Sequence, residues 1–201
     1  MSRFENARKE IHFFNIPFLE VNYSFRNGEN KLQLKNKKVI DLSEGASGIQ
    51  SVLPLLLVIE YLTNDNFSRS FIIEEPELNL YPTAQQKLLD VLIEKCTQGE
   101  NDLTITTHSP YILSHLNLLL YAYQVAEQHP DRRAEVAALV PEASWINPKE
   151  FACYQVENGG VQSLVDDDLG LIDNNELDAL SGDAADAFDN LIRLSKAIAA
   201  K

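Results

Sequence analysis

The chain has 201 residues, of which 45% are hydrophobic, and it carries a formal net charge of −13. This length and composition predict a folded chain with a substantial core. The acidic charge argues against a surface that binds nucleic acid by itself. Cys96 and Cys153 are too few for a disulfide framework or a zinc site. Charged residues in the first ten positions argue against a signal peptide, and the longest apolar run, residues 52–59, is too short to span a bilayer. We therefore expect a cytoplasmic protein with no membrane segment.

Residues 1–40 predict a small antiparallel arm. Two β-prone segments, residues 16–25 and 32–40, flank the dipeptide Asn27-Gly28. This dipeptide is typical of tight hairpin turns. We expect the two segments to pair as neighbouring strands ahead of the first long helix.

A Ser- and Gly-rich segment, residues 41–51, leads into the apolar run of a predicted helix. Ser47 and Gln50 have the spacing of a capping box, which places the start of the helix near Ser47. The backbone amides at such a helix start suit an anion. Pro54 should bend the helix, because its missing amide leaves one carbonyl free a turn earlier.

The most informative segment is residues 70–82, which read Ser-Phe-Ile-Ile-Glu-Glu-Pro-Glu-Leu-Asn-Leu-Tyr-Pro. Its apolar start predicts a short strand that is buried on both faces. Such a strand carries Glu74 and Glu75 to the carboxyl edge of a parallel sheet, where α/β proteins bind their ligands. Two adjacent carboxylates repel each other, and a metal–phosphate complex would explain their pairing.

A second short strand, residues 103–107, follows the first after a predicted helix over residues 83–98. Thr83 and Gln86 form a predicted capping box for that helix, and Gly99 is the predicted stop. Strand, helix and strand together predict a right-handed βαβ unit with two parallel strands.

His108 follows the second strand and precedes another predicted helix. Ser109 is a good N-cap residue, and Pro110 suits the first helical position. Because the carboxyl ends of parallel strands meet at one edge, we expect Glu75 and His108 to emerge together there.

The remainder of the chain predicts further helices and one hairpin. The predicted helices are residues 111–127, 131–139 and 183–200, and the hairpin strands are residues 151–156 and 161–165. The aspartates at 166–168, 173 and 178 lack the glycine spacing of a calcium loop, so we interpret them as solvated acids.

The order of these motifs resembles the head of an ABC-type ATPase. More closely, the chain resembles the AAA-family proteins grouped with the SMC, RecF-like and overcoming-lysogenization-defect ATPases, whose Walker B and D-loop phrase DEPELNLHP matches residues 74–82 with two changes. The resemblance implies the carboxyl half of a P-loop (ABC-type) ATPase head, an α/β fold with a mostly parallel sheet flanked by helices and the small N-terminal arm. It implies one domain over residues 1–201, with its core at 41–128 and a C-terminal hairpin with helices at 129–201.

The resemblance also implies roles for individual residues. Glu74 would hold Mg²⁺, often through water, and Glu75 would orient or deprotonate the attacking water. Asn79 would lie in the D-loop, which touches the opposite subunit. His108 would be the switch histidine that contacts the terminal phosphate of ATP.

Two registers compete for the signature motif of the resembled family. Ser43 and Gly45 match the letters of the usual motif, within Leu-Ser-Glu-Gly. Ser47 and Gly48 better match the predicted helix start, and we favour them because the capping argument places the backbone amides there.

The chain departs from the resembled family chiefly because it contains no phosphate-binding loop of the form G-x-x-x-x-G-K-S/T. The Q-loop of the family cannot be identified either. We therefore expect a homodimer or a Walker A-bearing partner polypeptide to complete an ATP and Mg²⁺ site, with the missing loop on another polypeptide or on a preceding part of the protein. A link to DNA would be indirect. The alternative is a non-catalytic module that binds a partner protein through an exposed sheet edge.

Overall fold

The computed structural model describes residues 2–65 and 67–173. These residues form two compact units, one that extends to Thr107 and one that begins at His108. The extent of a single domain over residues 1–201 stays a prediction.

The first unit opens with a helix and an antiparallel sheet of four strands. The helix is α1 (Arg3–Glu10), and the strands, in their order across the sheet, are β1 (Phe13–Ile16), β2 (Val21–Arg26), β3 (Glu29–Leu34) and β4 (Val39–Asp41). The arm expected from the sequence is present, and it carries four strands where the sequence predicts two.

Two interruptions divide the two predicted strands of the arm into four. A 3₁₀ turn, Pro17–Leu19, follows β1 and ends at Glu20, whose φ is +53°. The second interruption lies between β3 and β4, where Lys37 has a φ of +65°. The predicted hairpin turn is confirmed, because Asn27 and Gly28 both have positive φ, as a tight turn of this kind requires.

Helix α1 is held by a polar cap and by an aromatic contact. The Ser2 hydroxyl accepts a hydrogen bond from the Glu5 amide at 3.2 Å. The Arg8 guanidinium lies over the ring of Phe25, 4.8 Å from its centroid, and bonds to the Glu5 carboxylate. Arg8 therefore anchors this helix to β2, and Ser2 caps its start.

A βαβ unit completes the first unit. After α2 (Ser47–Thr63), which continues through Pro54, the elements are β5 (Ser70–Glu74), α3 (Pro82–Cys96) and β6 (Asp102–Thr106). Strands β5 and β6 pair in parallel, with Glu74 opposite Thr106, so the predicted βαβ unit is confirmed. Among the strands of residues 2–65 and 67–173 this is the only parallel pair, so the sheets described there are mostly antiparallel and not mostly parallel.

The β5–β6 pair is buried on one face and not on both. Phe71 and Ile73 point into the core of the first unit, which also includes buried residues of α2 and of the antiparallel sheet. Ile72, on the other face, is 73% exposed. The prediction of a strand buried on both faces is therefore wrong, because within the first unit the face that carries Ile72 is not covered.

Both capping boxes predicted for these helices are also wrong. Helix α2 has Ala46 at its N-cap, and α3 has Tyr81 there, followed by Pro82 as the first helical residue. Gly99 adopts a left-handed φ of +65°, three residues after α3 ends. The helix starts themselves lie within a residue of the predicted positions.

The second unit is built around one long helix. Its elements are α4 (Pro110–Gln128), α5 (Arg133–Leu139), β7 (Tyr154–Glu157) and β8 (Gly160–Ser163). Ser109 is the N-cap of α4 and Pro110 its first residue, as predicted. The hairpin is confirmed with shorter strands, and its turn residues Asn158 and Gly159 both have positive φ. The predicted helix over residues 183–200 lies outside the described residues.

A small core and hydrogen bonds from two side chains to the backbone stabilise the second unit. Leu113 and Leu120 of α4 pack with Ile172. The side-chain nitrogen of Asn117 donates to the Ile172 carbonyl at 2.8 Å, and the side-chain oxygen of Asn117 accepts from the Ile172 backbone amide at 2.7 Å. The Asp166 carboxylate accepts from the amides of Asp168 and Leu169, so this aspartate caps a turn.

Within the described residues, no helix is both long and apolar enough for a membrane span.

Candidate functional site

The two predicted carboxylates lie at the carboxyl end of the parallel strand pair. Glu74 is the last residue of β5 and is exposed. It pairs with Thr106, the last residue of β6. The edge that the sequence predicts as a ligand-binding edge therefore presents an acid and a hydroxyl residue on adjacent strands.

Glu75 leaves the strand with an unusual backbone conformation. Its φ is +42°, in the left-handed region that residues other than Gly, Asn and Asp rarely adopt. The Glu75 amide donates to the Thr106 carbonyl at 2.9 Å, and the Thr106 hydroxyl oxygen lies 3.3 Å from the same nitrogen. Strained residues that are held by their surroundings concentrate at functional sites.

The loop after Glu75 is a chain of tight turns. The Leu78 amide donates to the Glu75 carbonyl at 3.1 Å, and the Leu80 amide donates to the Glu77 carbonyl at 3.0 Å. Asn79 has a φ of +63° and is exposed. These turns return the chain to the start of α3, where Gln85 donates its side-chain amide to the Leu80 carbonyl at 3.0 Å.

Glu77 and Thr107 are residues of this loop region that the sequence analysis did not single out. Glu77 is only 7% exposed, and its carboxylate accepts a hydrogen bond from the Thr107 hydroxyl at 2.5 Å. This contact ties the loop after β5 to the residue that follows β6. The available signal was the third acid in Glu-Glu-Pro-Glu, because a carboxylate that becomes buried needs a hydrogen-bond partner.

The start of α2 is organised by Gln50. Its side-chain amide donates to the Gly45 carbonyl at 2.7 Å and to the Ser43 carbonyl at 3.1 Å. Ser47 is the first helical residue and is exposed. The capping-box arrangement occurs one element earlier, where the Glu44 carboxylate accepts from the Asp41 amide at 3.0 Å.

Gly48 brings the start of α2 against the loop that follows β5. A Cβ atom on Gly48 would lie 2.7 Å from the Asn79 carbonyl oxygen and 3.0 Å from Leu80. No real Cβ atom tolerates the first distance, so only glycine allows this approach. The structure therefore places two predicted site residues, Gly48 and Asn79, in direct backbone contact.

The alternative signature residues lie elsewhere in the first unit. A Cβ atom on Gly45 would lie 2.8 Å from Leu32, a residue of the antiparallel arm. Ser43 lines a shallow cavity of about 420 Å³ together with Asn30 and Asp41. The two registers are thus distinguished by their neighbours: the arm for one, and the loop after the paired acids for the other.

His108 is the first residue of the second unit and is exposed. It follows the last residue of β6 by two positions. That its imidazole meets the Glu75 carboxylate stays a prediction.

The predicted Mg²⁺ ligand, Glu74, lies apart from any cluster of metal-binding side chains in the described residues. Residues 2–65 and 67–173 contain no group of three His, Cys, Asp or Glu side chains that could hold a metal ion. Mg²⁺ bound to a nucleotide commonly takes one or two carboxylates, with phosphates and water as its other ligands. An exposed Glu74 beside a threonine hydroxyl is compatible with that mode of binding.

Comparisons with known proteins identify similar sequences and folds. A family model described as an AAA ATPase domain matches residues 3–113, a range that includes every predicted site residue. A solved structure described as "Structural biochemistry of ATP-driven dimerization and DNA stimulated activation of SMC ATPases" is similar over 80% of this chain and 83% of that chain, with 8% identity and a TM-score of 0.47. No curated protein matches the chain.

Proposed function

Because the chain belongs to the AAA ATPase domain family, we propose that it is the head of an ATPase that binds ATP with Mg²⁺ and hydrolyses its terminal phosphate. The observation that carries this proposal is the left-handed backbone of Glu75 at the end of the parallel strand pair. This backbone turns the chain just after Glu74. The two adjacent carboxylates therefore need not point to opposite faces of the sheet, as successive side chains of a regular strand do. A strained acid at a sheet edge is an arrangement that catalytic sites use.

Glu75 has the role of orienting the attacking water and accepting its proton. Bound Mg²⁺ would neutralise charge on the phosphates, and Glu74 is the residue that would hold it, directly or through water. In phosphoryl transfer of this kind, positioning and electrostatics supply most of the catalysis. The hydrogen bonds from the Glu75 amide to Thr106 fix the backbone from which the carboxylate extends.

The remaining roles concern the phosphate and the opposite head. His108 contacts the terminal phosphate, and Ser47 with Gly48 presents the amides of α2 to a nucleotide on the opposite subunit. Asn79 belongs to the same surface, because it touches Gly48 through its backbone. Ser43 and Gly45 take the signature role only in the alternative register. The nucleotide-binding site is completed by a G-x-x-x-x-G-K-S/T loop from another polypeptide or from another part of a longer protein.

The experiment is ATP turnover by the chain combined with a polypeptide that carries the phosphate loop. Glu75→Gln should lower the turnover number by about 100-fold or more, and it should leave ATP binding in place. Glu100→Gln, an exposed acid in the loop before β6, is the matched control and should keep full turnover. Full turnover by Glu75→Gln would contradict the catalytic assignment.

A second candidate function is a non-catalytic module that binds a partner protein. The specific observation in its favour is the open face of the β5–β6 pair, where Ile72 is 73% exposed. Titration calorimetry of the isolated chain with ATP and Mg²⁺ separates the two candidates. Binding tighter than about 1 mM favours the ATPase head, and no binding either alone or with the loop-bearing polypeptide favours the module.

A further inference from the structure

The outward face of α4 carries a stripe of uncharged side chains, which we name the α4 stripe. Its members are Tyr111, Ser114, Leu118, Tyr121 and Val125. Tyr111, Leu118 and Tyr121 are 49%, 47% and 56% exposed. The spacing alternates between three and four residues, so the five positions fall on one side of the helix over about 21 Å of its length.

A solvent-facing helix surface is normally charged or polar. The α4 helix has no Asp, Glu, Lys or Arg from Pro110 to Ala126, although the whole chain carries a net charge of −13. The α4 stripe is therefore a neutral strip on an acidic protein. A second acidic copy would meet less repulsion there than at a typical part of the surface.

Another side of α4 is occupied within its own unit. Leu113 and Leu120 pack with Ile172, and Asn117 bonds to the backbone of the same residue. Gln124 donates its side-chain amide to the Leu169 carbonyl at 2.9 Å. No residue of the stripe takes part in these contacts, so the stripe lies on a different side of the helix.

We propose that the α4 stripe binds the α4 stripe of a second copy of this chain, with the two helices antiparallel about a two-fold axis at Leu118. In that arrangement Leu118 meets its own equivalent, and Ser114 faces Tyr121. Tyr111 faces Val125 at each end. A large side chain then lies opposite a smaller one at every position away from the axis, which is the pattern that allows two helices to interdigitate.

The contact involves five side chains from each copy and is smaller than a standard interface of about 800 Å² per partner. It needs no nucleotide, and it uses none of the residues assigned to hydrolysis. The pair that it forms is therefore separate from a nucleotide-dependent association of ATPase heads. Loss of ATP binding would leave it unchanged.

The first test is sedimentation equilibrium of the full chain without nucleotide, from about 5 to about 500 μM, the range in which a small interface forms. The dimer fraction should rise with concentration. Leu118→Asp should remain monomeric at the highest concentration, whereas Leu139→Asp should dimerise like the unmodified chain. Leu139 is the matched control, because it is 85% exposed and lies on α5, outside the stripe. An unmodified chain that stays monomeric throughout would overturn the proposal.

The second test fixes the register and does not depend on a single variant. Ser114→Lys and Tyr121→Glu should each weaken the dimer at least tenfold, and the double variant should recover it, because the two new charges face each other in the antiparallel arrangement. Failure of the double variant to recover the dimer would reject this register.

Leu118→Cys in a Cys153→Ser background should form a disulfide between copies under oxidation, and Leu139→Cys should not. Equal cross-linking of the two cysteine variants would also reject the pairing.

Discussion

The backbone of Glu75 is held in a conformation that its side chain disfavours. A left-handed φ costs an L-residue with a Cβ atom about 1–2 kcal/mol, and glycine escapes that cost. Glu74, one residue earlier, lies in regular strand geometry at the end of β5. The two acids therefore differ in what a glycine would do to the stability of the fold.

We predict that Glu75→Gly leaves the free energy of unfolding unchanged or raises it by up to about 1 kcal/mol, because relief of the left-handed strain offsets the extra freedom of glycine in the unfolded chain. Glu74→Gly should lower it by about 0.5–1 kcal/mol. Urea unfolding of both variants measures the difference. A Glu75→Gly variant that is less stable than Glu74→Gly would show that the Glu75 side chain stabilises the fold.

The contact between Gly48 and the Asn79 carbonyl gives a prediction about packing. Gly48→Ala should destabilise the protein by about 1–3 kcal/mol, because the new methyl group forces the helix start away from the loop. Gly160→Ala is the control, since the nearest atom to its added Cβ would lie 3.5 Å away, an ordinary contact. Thermal unfolding of both variants checks this, and equal stability would mean that the loop moves aside without cost.

At the scale of the elements, Tyr23 on β2 makes the arm sensitive to alkaline pH. Burial raises the pKa of Tyr23 to about 12 from its ordinary 10.0, and its hydroxyl donates to Asn30 at 2.7 Å. The unfolded chain therefore releases this proton first as the pH rises. The associated stability is complete below pH 10 and is lost between about pH 10 and 12, to a total of about 2–3 kcal/mol.

We predict that Tyr23→Phe flattens the loss of stability above pH 10 and costs about 1 kcal/mol at neutral pH through the missing hydrogen bond. Denaturant unfolding at a series of pH values gives both numbers. Burial also raises the pKa of Cys96 to about 12, so part of the alkaline slope persists in the variant. Tyr154→Phe, on the exposed hairpin, should keep the original slope.

The elements that the sequence predicted well are those with a local signal. Asn27-Gly28 and Asn158-Gly159 specify their turns because both need positive φ at two successive residues. The βαβ unit follows from two short apolar runs separated by a helical pattern. The 3₁₀ turn at Pro17–Leu19 carries no comparable signal, since proline is also tolerated at a strand end.

The site was predictable only as far as chain order allows. Strand ends placed Glu74 and Glu75 at the correct edge, and the register of β5 with β6 agrees. The hydrogen bond between Glu77 and Thr107 joins residues thirty positions apart, and a single sequence gives no such distance. The capping box predicted at Ser47 and Gln50 failed because Gln50 bonds to carbonyls of the preceding turn. The one predicted at Thr83 and Gln86 failed because α3 begins earlier, with Tyr81 as its N-cap and Pro82 as its first residue.

At the scale of the whole molecule, a charge of −13 opposes association of identical copies. We predict that the α4 dimer strengthens as salt is raised from about 0.01 M to about 1 M, because the screening length falls from about 30 Å to about 3 Å. Sedimentation at fixed protein concentration measures the effect. A dimer that weakens with salt would be held by ion pairs and not by the uncharged α4 stripe.

The approach of Gly48 to Asn79 involves main-chain atoms on the loop side and a missing side chain on the helix side. Evolution is therefore constrained unequally at the two positions. Related sequences should tolerate many amino acids at position 79, provided that they accept a left-handed backbone, while position 48 should admit glycine alone. An alignment of relatives would reveal this asymmetry as one invariant column facing a variable one.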